Sequence, residues 1–310
     1  MNIGIIGGDF RTVQLIKFLE KDKKQIVLYG LDNCEQLKNF NHEKSLEGVL
    51  SKSDTIITSI PLSKDGKFVN AVFSDKKIEV RDIFEKSKNK KIVTGNITNE
   101  IQSYIKIINE ELIQSSECLK NEINSINDKK YKAIKDINQN EIIDILKQEE
   151  LTVLNSIPTA EGAIQIAMEK SLKTIHNSKC LVLGFGRIGK ILSKMLLGIG
   201  AQVYCEARKQ SDIAWIQAYG YNAICLEKLN ENLDKFDFIF NTIPYLILDK
   251  NNLKLIKKDC LLIDLASKPG GIDFDEADRL QLQTVWALAL PGKVAPETAA
   301  KYIYEIVKEL

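Results

Sequence analysis

Three glycines spaced G-x-G-x-x-G stand in CLVLGFGRIGK, residues 180–190, behind a short apolar run and ahead of a segment with helical spacing. That order suits the binding of a dinucleotide phosphate. Gly184 permits a tight turn, Gly186 lets a pyrophosphate approach the backbone, and Gly189 lets the helix pack close to the sheet. The helix N-terminus, at Arg187 and Ile188, favours the negative charge. An NAD site also places an acid at the end of the second strand, where it accepts hydrogen bonds from the ribose 2′-hydroxyl. In AQVYCEARKQ that position counts to Ala207, followed by Arg208 and Lys209, with Glu206 one residue earlier. Two cations in that place favour the 2′-phosphate of NADP; a register shift of one residue gives NAD instead.

Open α/β sheets bind ligands beyond the carboxyl ends of their strands. Three unusual sequences fall on that rim: NTIP after the fourth strand, SKPGG after the fifth and PGKVAP after the sixth. Lys268 and Lys293, set among prolines and glycines, suit an anionic substrate beside a nicotinamide. Asn241, with Thr242 and Pro244, contacts the nicotinamide ribose or amide, or satisfies its own turn. The opening GIIGGDFRT is a contrast, because Asp9 takes the place of the second glycine and would repel a pyrophosphate. The first domain is therefore not expected to hold the cofactor. Asp9 and Arg11 stand at a strand end as ligand groups, or Asp9 is a plain helix N-cap. His176 precedes the first strand of the cofactor domain and is expected at the far edge, so no histidine-based mechanism is expected.

These groups need strands and helices in alternation. In the second half, strands are predicted at Cys180–Leu183, Gln202–Cys205, Ala223–Leu226, Phe236–Phe240, Cys260–Leu265 and Thr284–Leu288, with helical spacing between. Ile188, Ile191, Leu192, Met195 and Leu196 make one such stripe, and Ser211 is a candidate N-cap for the next helix. In the first hundred residues strands are predicted at Asn2–Ile6, Ile26–Tyr29, Thr55–Ser59 and Ile92–Thr94, with a helix at Arg11–Leu19. From 101 to 150 the charge spacing reads as solvated helices with a polar loop near Asn124–Lys129. LTVLN reads as a strand ending at Asn155, and Pro158 suits the first turn of a following helix.

The expected fold is α/β with two domains and a cleft between them. A Rossmann-like N-terminal domain covers 1–153, with the C-terminal helix 296–310 returning to it. A connecting helix covers 154–177, and a six-stranded, doubly wound, parallel-sheet NAD(P)-binding Rossmann domain covers 178–295. A length of 310 residues allows this, since single cores stop growing at roughly 250–300 residues. The formal charge of +1 gives no electrostatic footprint for nucleic acid or a membrane surface. From the start MNIGIIGGDF neither a signal peptide nor a membrane span is expected. Six scattered cysteines without C-x-x-C spacing point away from disulfides and metal sites, and toward a reducing cytoplasm.

LNSIPTAEGA, LVLGFGRIGK, FNTIP, IDLASKPGGIDF and LPGKVAPETAA, with GIIGGDFR near the start, together resemble the A component of bacterial dipicolinate synthases. The resemblance implies oxidation of dihydrodipicolinate to dipicolinate with NAD(P)⁺ in the mother cell of a sporulating bacterium. It implies a partner, the flavoprotein-like B component; a homodimer is expected as well. The expected catalytic groups are Lys268, Glu161 and Asp9. Arg11, Ser156, Thr159, Ser267 and Lys293 are expected to bind substrate, with Ser156, Thr159 and Glu161 at a helix start whose N–H groups receive a carboxylate. The alternatives are a cofactor-binding regulatory or scaffold component, and a dehydrogenase of another small carboxylate.

Overall fold

The computed structural model describes residues 2–108, 110 and 140–310. The expected loop at Asn124–Lys129 and Cys118 lie outside the described residues. The chain divides into two compact units, Met1–Leu151 with Pro296–Leu310, and Thr152–Ala295. Each carries its own six-stranded sheet.

In the first unit the strands are β1 (Asn2–Ile6), β2 (Gln25–Tyr29), β3 (Asn41–His42), β4 (Thr55–Thr58), β5 (Lys91–Thr94) and β6 (Glu141–Asp144), in the order β3-β2-β1-β4-β5-β6 and all parallel. The helices are α1 (Phe10–Lys21), α2 (Leu46–Ser51), α3 (Val80–Lys86) and α4 (residues 99–108). Ile3, Ile5, Ile57 and Val93 point to one sheet face and Ile6, Ile56 and Ile92 to the other, so both faces are buried. This is why the strands read as continuous apolar runs rather than alternating ones. The last helix of the chain, Pro296–Val307, lies against α1 through Ala300 and Ile303, with Phe18 and Tyr304 rings 5.5 Å apart and the Tyr304 hydroxyl donating to Asp22.

Two of these strands correct the sequence reading. β3 spans two residues, too few to show a period. β6 falls within the stretch expected to be helical. Its Asp144 carboxylate accepts the N–H groups of Asn96, Ile97 and Leu146, so a strand-end turn consumes a charge that looked solvated.

In the second unit the strands are β7 (Lys179–Leu183), β8 (Gln202–Ala207), β9 (Asn222–Cys225), β10 (Phe238–Asn241), β11 (Leu261–Asp264) and β12 (Gln283–Trp286). Their order is β12-β11-β10-β7-β8-β9, again all parallel. Counted from β7 this is the 3-2-1-4-5-6 order of a doubly wound dinucleotide sheet. Its helices are α5 (Glu149–Lys170), which begins before the unit boundary, then α6 (Arg187–Ile199), α7 (Gln210–Ala218), α8 (Lys250–Leu253), α9 (Phe274–Arg279) and α10 (Leu290–Val294), and the C-terminal helix Pro296–Val307 is α11.

Here too the local reading is corrected in places. LTVLN is helical: α5 starts at Glu149, with two acids in its first turn, and Pro158 sits inside it. Pro158 has no N–H for the Leu154 carbonyl. Nearby, the Ser156 and Thr159 hydroxyls bond back to the carbonyls of Thr152 and Asn155. α7 starts at Gln210 with Lys209, not Ser211, at its N-cap. PGKVAP is not an open loop, because Leu290–Val294 makes a short helix with Pro291 in its first turn.

Among the described residues, no helix is long and apolar enough to cross a membrane, and no group of three His, Cys, Asp or Glu side chains is placed to hold a metal. Cys34, Cys180, Cys205, Cys225 and Cys260 are free thiols, and burial pushes Cys180 and Cys205 up to about 12, so they act as small hydrophobes.

Candidate functional site

β7 delivers the chain to Gly184, whose φ of +90° only glycine adopts freely. Its N–H faces the end of β8, 3.2 Å from the Glu206 carbonyl and 3.3 Å from its carboxylate. Gly186 caps α6 with extended backbone, and a Cβ built there meets nothing within 4 Å. Gly189 is the opposite case, since its Cβ would overlap the Gly184 carbonyl oxygen. The first glycine therefore supplies the turn, the second an open cradle at a helix N-terminus and the third a close approach of helix to turn. These are the three requirements of a pyrophosphate site, met by three different local constraints.

A cavity of about 720 Å³ opens beside this turn. It is lined by Gly184, Gly186, Glu206, Ala207, Arg208 and Lys209, and closed on the other side by Leu226, Tyr245 and Leu246. The volume and the mixture of apolar walls with a few polar groups suit a nucleoside moiety. Ala207, counted as the acidic position, ends β8 and is buried, whereas Arg208 and Lys209 are exposed. Glu206 is buried, and burial pushes its carboxyl up, with the Gly184 N–H and Arg208 pulling less strongly the other way. A carboxylate and two cations thus share the wall where a ribose 2′ substituent would lie.

Parallel register brings the carboxyl ends of the central strands to one edge: Leu183 pairs with Glu206 and Asn241, Asn241 with Asp264, and Asp264 with Trp286. The tips after β7, β10, β11 and β12 all leave from this rim. Of the residues on these tips, Gly186 and Ile243 line the dinucleotide cavity. Lys268 and Lys293 are not buried, nor is Ser267, and none of the three lines the dinucleotide cavity. Asn241 is fully buried, and of its two expected roles the structure shows the second, satisfying its own turn. Its Oδ1 accepts from Ile243 N–H at 3.1 Å, and its Nδ2 donates to the Ile243 carbonyl and, at 2.8 Å, to Asp264. Thr242 also serves the turn, its hydroxyl donating to the Leu183 carbonyl at 2.8 Å, while Pro244 is exposed.

Sequence reasoning missed Asp264. This carboxylate, with no exposed surface, accepts from Asn241, from Ala266 N–H at 3.0 Å and from Gly271 N–H at 2.7 Å. The Trp286 indole donates to the Ala266 carbonyl and stacks on Phe274, 5.2 Å away, closing the same loop from the far side. A signal for it does exist in the sequence: an Asp ending a strand of pure aliphatics, with the paired glycines of SKPGG shortly after it.

In the first unit Asp9 is the N-cap of α1, accepting from Arg11 N–H, and it also takes the Arg11 guanidinium through Nε at 3.0 Å and Nη2 at 2.6 Å. Arg11 is 7% exposed. What fills the glycine turn is the chain itself: Gly8 N–H donates to the Asn70 carbonyl and Val72 N–H to the Gly8 carbonyl. Arg11 thus neutralises Asp9, and a backbone segment lies against the turn. Ser156, Thr159 and Glu161 lie well inside α5 rather than at its start, so the expected free N–H groups are corrected to ordinary helical ones. Ser156 is buried and Glu161 exposed. His176 bonds the Ile199 carbonyl at the end of α6.

The family described as the N-terminal domain of the dipicolinate synthase A component matches residues 2–115, and that described as D-isomer specific 2-hydroxyacid dehydrogenase, NAD binding domain, matches residues 157–270. The chain is 26% identical over 312 residues to the A component of dipicolinate synthase from Bacillus subtilis (strain 168), covering 100% of this chain and 95% of that one. It is similar to the crystal structure of the corresponding component from Bacillus halodurans, with a TM-score of 0.82, 26% identity and coverage of 99% and 97%. A transhydrogenase from Sinorhizobium meliloti shares the fold, with a TM-score of 0.66 at 13% identity and coverage of 99% and 94%. The second unit carries a nicotinamide-dinucleotide-binding domain of the dehydrogenase type.

Proposed function

Because the chain belongs to the family of dipicolinate synthase A components, we propose that it oxidises dihydrodipicolinate to dipicolinate with NAD(P)⁺, in a synthase completed by a flavoprotein-like B component. The observation that carries the reading is the open cradle at Gly186, on the same sheet edge that presents Ser267 and Lys268. The bound nicotinamide supplies a hydride acceptor. Everything else falls to the chain. Gly184, Gly186 and Gly189 seat the pyrophosphate, with Arg187 and Ile188 in the first turn of the helix behind it. Arg208 and Lys209 offer charge to a 2′-phosphate, which favours NADP, while Glu206 stays turned to the Gly184 N–H.

The substrate is a ring with two carboxylates, and cations on stiff tips suit it. Lys293 and Ser267 receive a carboxylate, and Lys268, as the neutral amine, takes the proton lost as the ring becomes aromatic. Aromatisation supplies driving force, so positioning is the main demand, and orientation alone is worth about 7–11 kcal/mol in favourable cases. Asp9 is not the base in this reading, because Arg11 already occupies its carboxylate.

The test is turnover. Purified protein is mixed with dihydrodipicolinate and NADP⁺ or NAD⁺, with and without the B component, and pyridine absorbance is followed together with reduced cofactor. Equimolar appearance of the two is expected. Pyridine formation without cofactor reduction, or no turnover even with B present, refutes the reading.

A further inference from the structure

We infer that Asp264 is a positioning residue that makes the wall of the dinucleotide cavity and the Ser267–Lys268 tip one mechanical piece, so that cofactor occupancy is transmitted to the lysine. The role given to the tip rests on the dehydrogenase reading above.

The tie is a continuous chain of hydrogen bonds. Asp264 holds Gly271 through its N–H at 2.7 Å, and the Gly271 carbonyl in turn accepts the N–H groups of Ile247 at 3.0 Å and Leu248 at 2.9 Å. The other Asp264 oxygen holds Asn241, whose amide fixes Ile243 at both its N–H and its carbonyl. Ile243, Tyr245, Leu246 and Ile247 are cavity wall. On the other side, Asp264 accepts from Ala266 N–H, the residue before Ser267. Two tips from different strands thus hang on one buried carboxylate.

The glycines show how tightly the pieces are fitted. A Cβ on Gly270, at φ +84°, would come within 2.9 Å of the Asp264 carboxylate. One on Gly271 would overlap the Asn241 amide and lie 2.7 Å from the Ile243 carbonyl. Both glycines of SKPGG are therefore required by the tie. A buried carboxylate is costly to desolvate, and the three donors it holds are bonds that an apolar residue in its place cannot make.

Asp264→Asn tests this in the full chain. The amide keeps the shape but has one acceptor oxygen where the carboxylate had two. Keeping the Asn241 and Ala266 bonds sets its NH₂ against Gly271 N–H, which cuts the tie at a single point. Hydrogen exchange by mass spectrometry is read over 242–248 and 266–272, without ligand and with saturating NADPH or NADH. In the unsubstituted protein the cofactor is expected to slow both segments, a comparison that needs no variant. In Asp264→Asn both segments exchange faster by roughly tenfold or more without ligand, the equivalent of one buried hydrogen bond. Cofactor then still protects 184–190 but no longer 266–272. In turnover kcat falls while the KM for cofactor moves by less than about threefold, a split that general destabilisation does not produce.

The inference is overturned if 266–272 gains no protection from cofactor in the unsubstituted protein, or if the variant leaves its exchange unchanged. It is also overturned if 266–272 loosens while 242–248 stays protected. Absence of dihydrodipicolinate oxidation together with an intact exchange coupling refutes the assigned reaction and leaves the tie standing.

Discussion

Replacing Gly186 and Gly189 separately by alanine separates ligand binding from folding. At Gly186 the backbone is extended, at φ −80° and ψ −160°, and a Cβ meets nothing within 4 Å, so the folded chain accepts it. Alanine is a poorer N-cap than glycine by less than about 1 kcal/mol. For a domain of this size that lowers Tm by roughly 2–4 °C at most. The new methyl stands where a pyrophosphate must approach. Losing one charge-assisted N–H bond there costs about 1.5–3 kcal/mol, which weakens cofactor binding roughly 10- to 150-fold. At Gly189 the Cβ overlaps a backbone oxygen, which cannot rotate away, and the helix must move. Overpacking of that kind costs about 1–3 kcal/mol and lowers Tm by roughly 2–12 °C. The assays are titration of NAD(P)H fluorescence and thermal unfolding. Gly186→Ala with unchanged affinity, or with a larger loss of Tm than Gly189→Ala, would falsify the assignment of the cradle.

Other outcomes follow from the same geometry. The double variant Arg208→Ala, Lys209→Ala is expected to weaken NADPH by about tenfold or more while NADH changes little, because only the former carries the 2′-phosphate; equal losses in isothermal titration remove these residues from cofactor choice. Lys293→Ala is expected to raise the Kd for dipicolinate without altering that for cofactor, and calorimetry showing no change contradicts its role. Burial pushes the Asp237 carboxyl up, but hydrogen bonds from Lys257, Lys173 and the Lys179 N–H outweigh this and hold it at about 2. Its folded pKa is depressed, so its stabilisation is present above the ordinary value of 3.8 and lost as pH falls through about 2. After allowance for partial exposure it is worth about 1–2 kcal/mol, and denaturant midpoints of Asp237→Asn should converge on those of the unsubstituted protein across that window. Glu206 has the opposite sign: its folded pKa is raised, so protonation favours the fold and the contribution is lost as pH rises above 4.5. Glu206→Gln should therefore raise stability at pH 7 and not at pH 4; a variant less stable at pH 7 contradicts this.

The second sheet was legible because parallel strands buried on both faces read as aliphatic runs, and Val182, Phe240 and Ile263 lie in such runs. Once those strands are parallel, their tips must share an edge, so the positions of Gly186, Ser267 and Lys293 near that edge followed from topology. Side-chain direction did not follow. Asn241 was open between a ligand and its own turn, and its amide is spent on a turn two residues on and on a carboxylate from the next strand. Asp264 escaped notice because its three donors come from β10, from two residues ahead and from seven residues ahead. Period and spacing report one element at a time. LTVLN failed for a different reason: a short run of mostly apolar and β-branched residues suits a strand or a buried helix equally, and the acids at Glu149 and Glu150 that decide for helix lie outside the run.

The central proposition is tested most directly by a crystal structure of the protein with NADP⁺ and dipicolinate bound. The pyrophosphate is expected over Gly186 at the start of α6, with a dipicolinate carboxylate within hydrogen-bond reach of Lys293 and the ring beside Lys268. A dinucleotide seated elsewhere, or a dicarboxylate bound away from both lysines, contradicts the account.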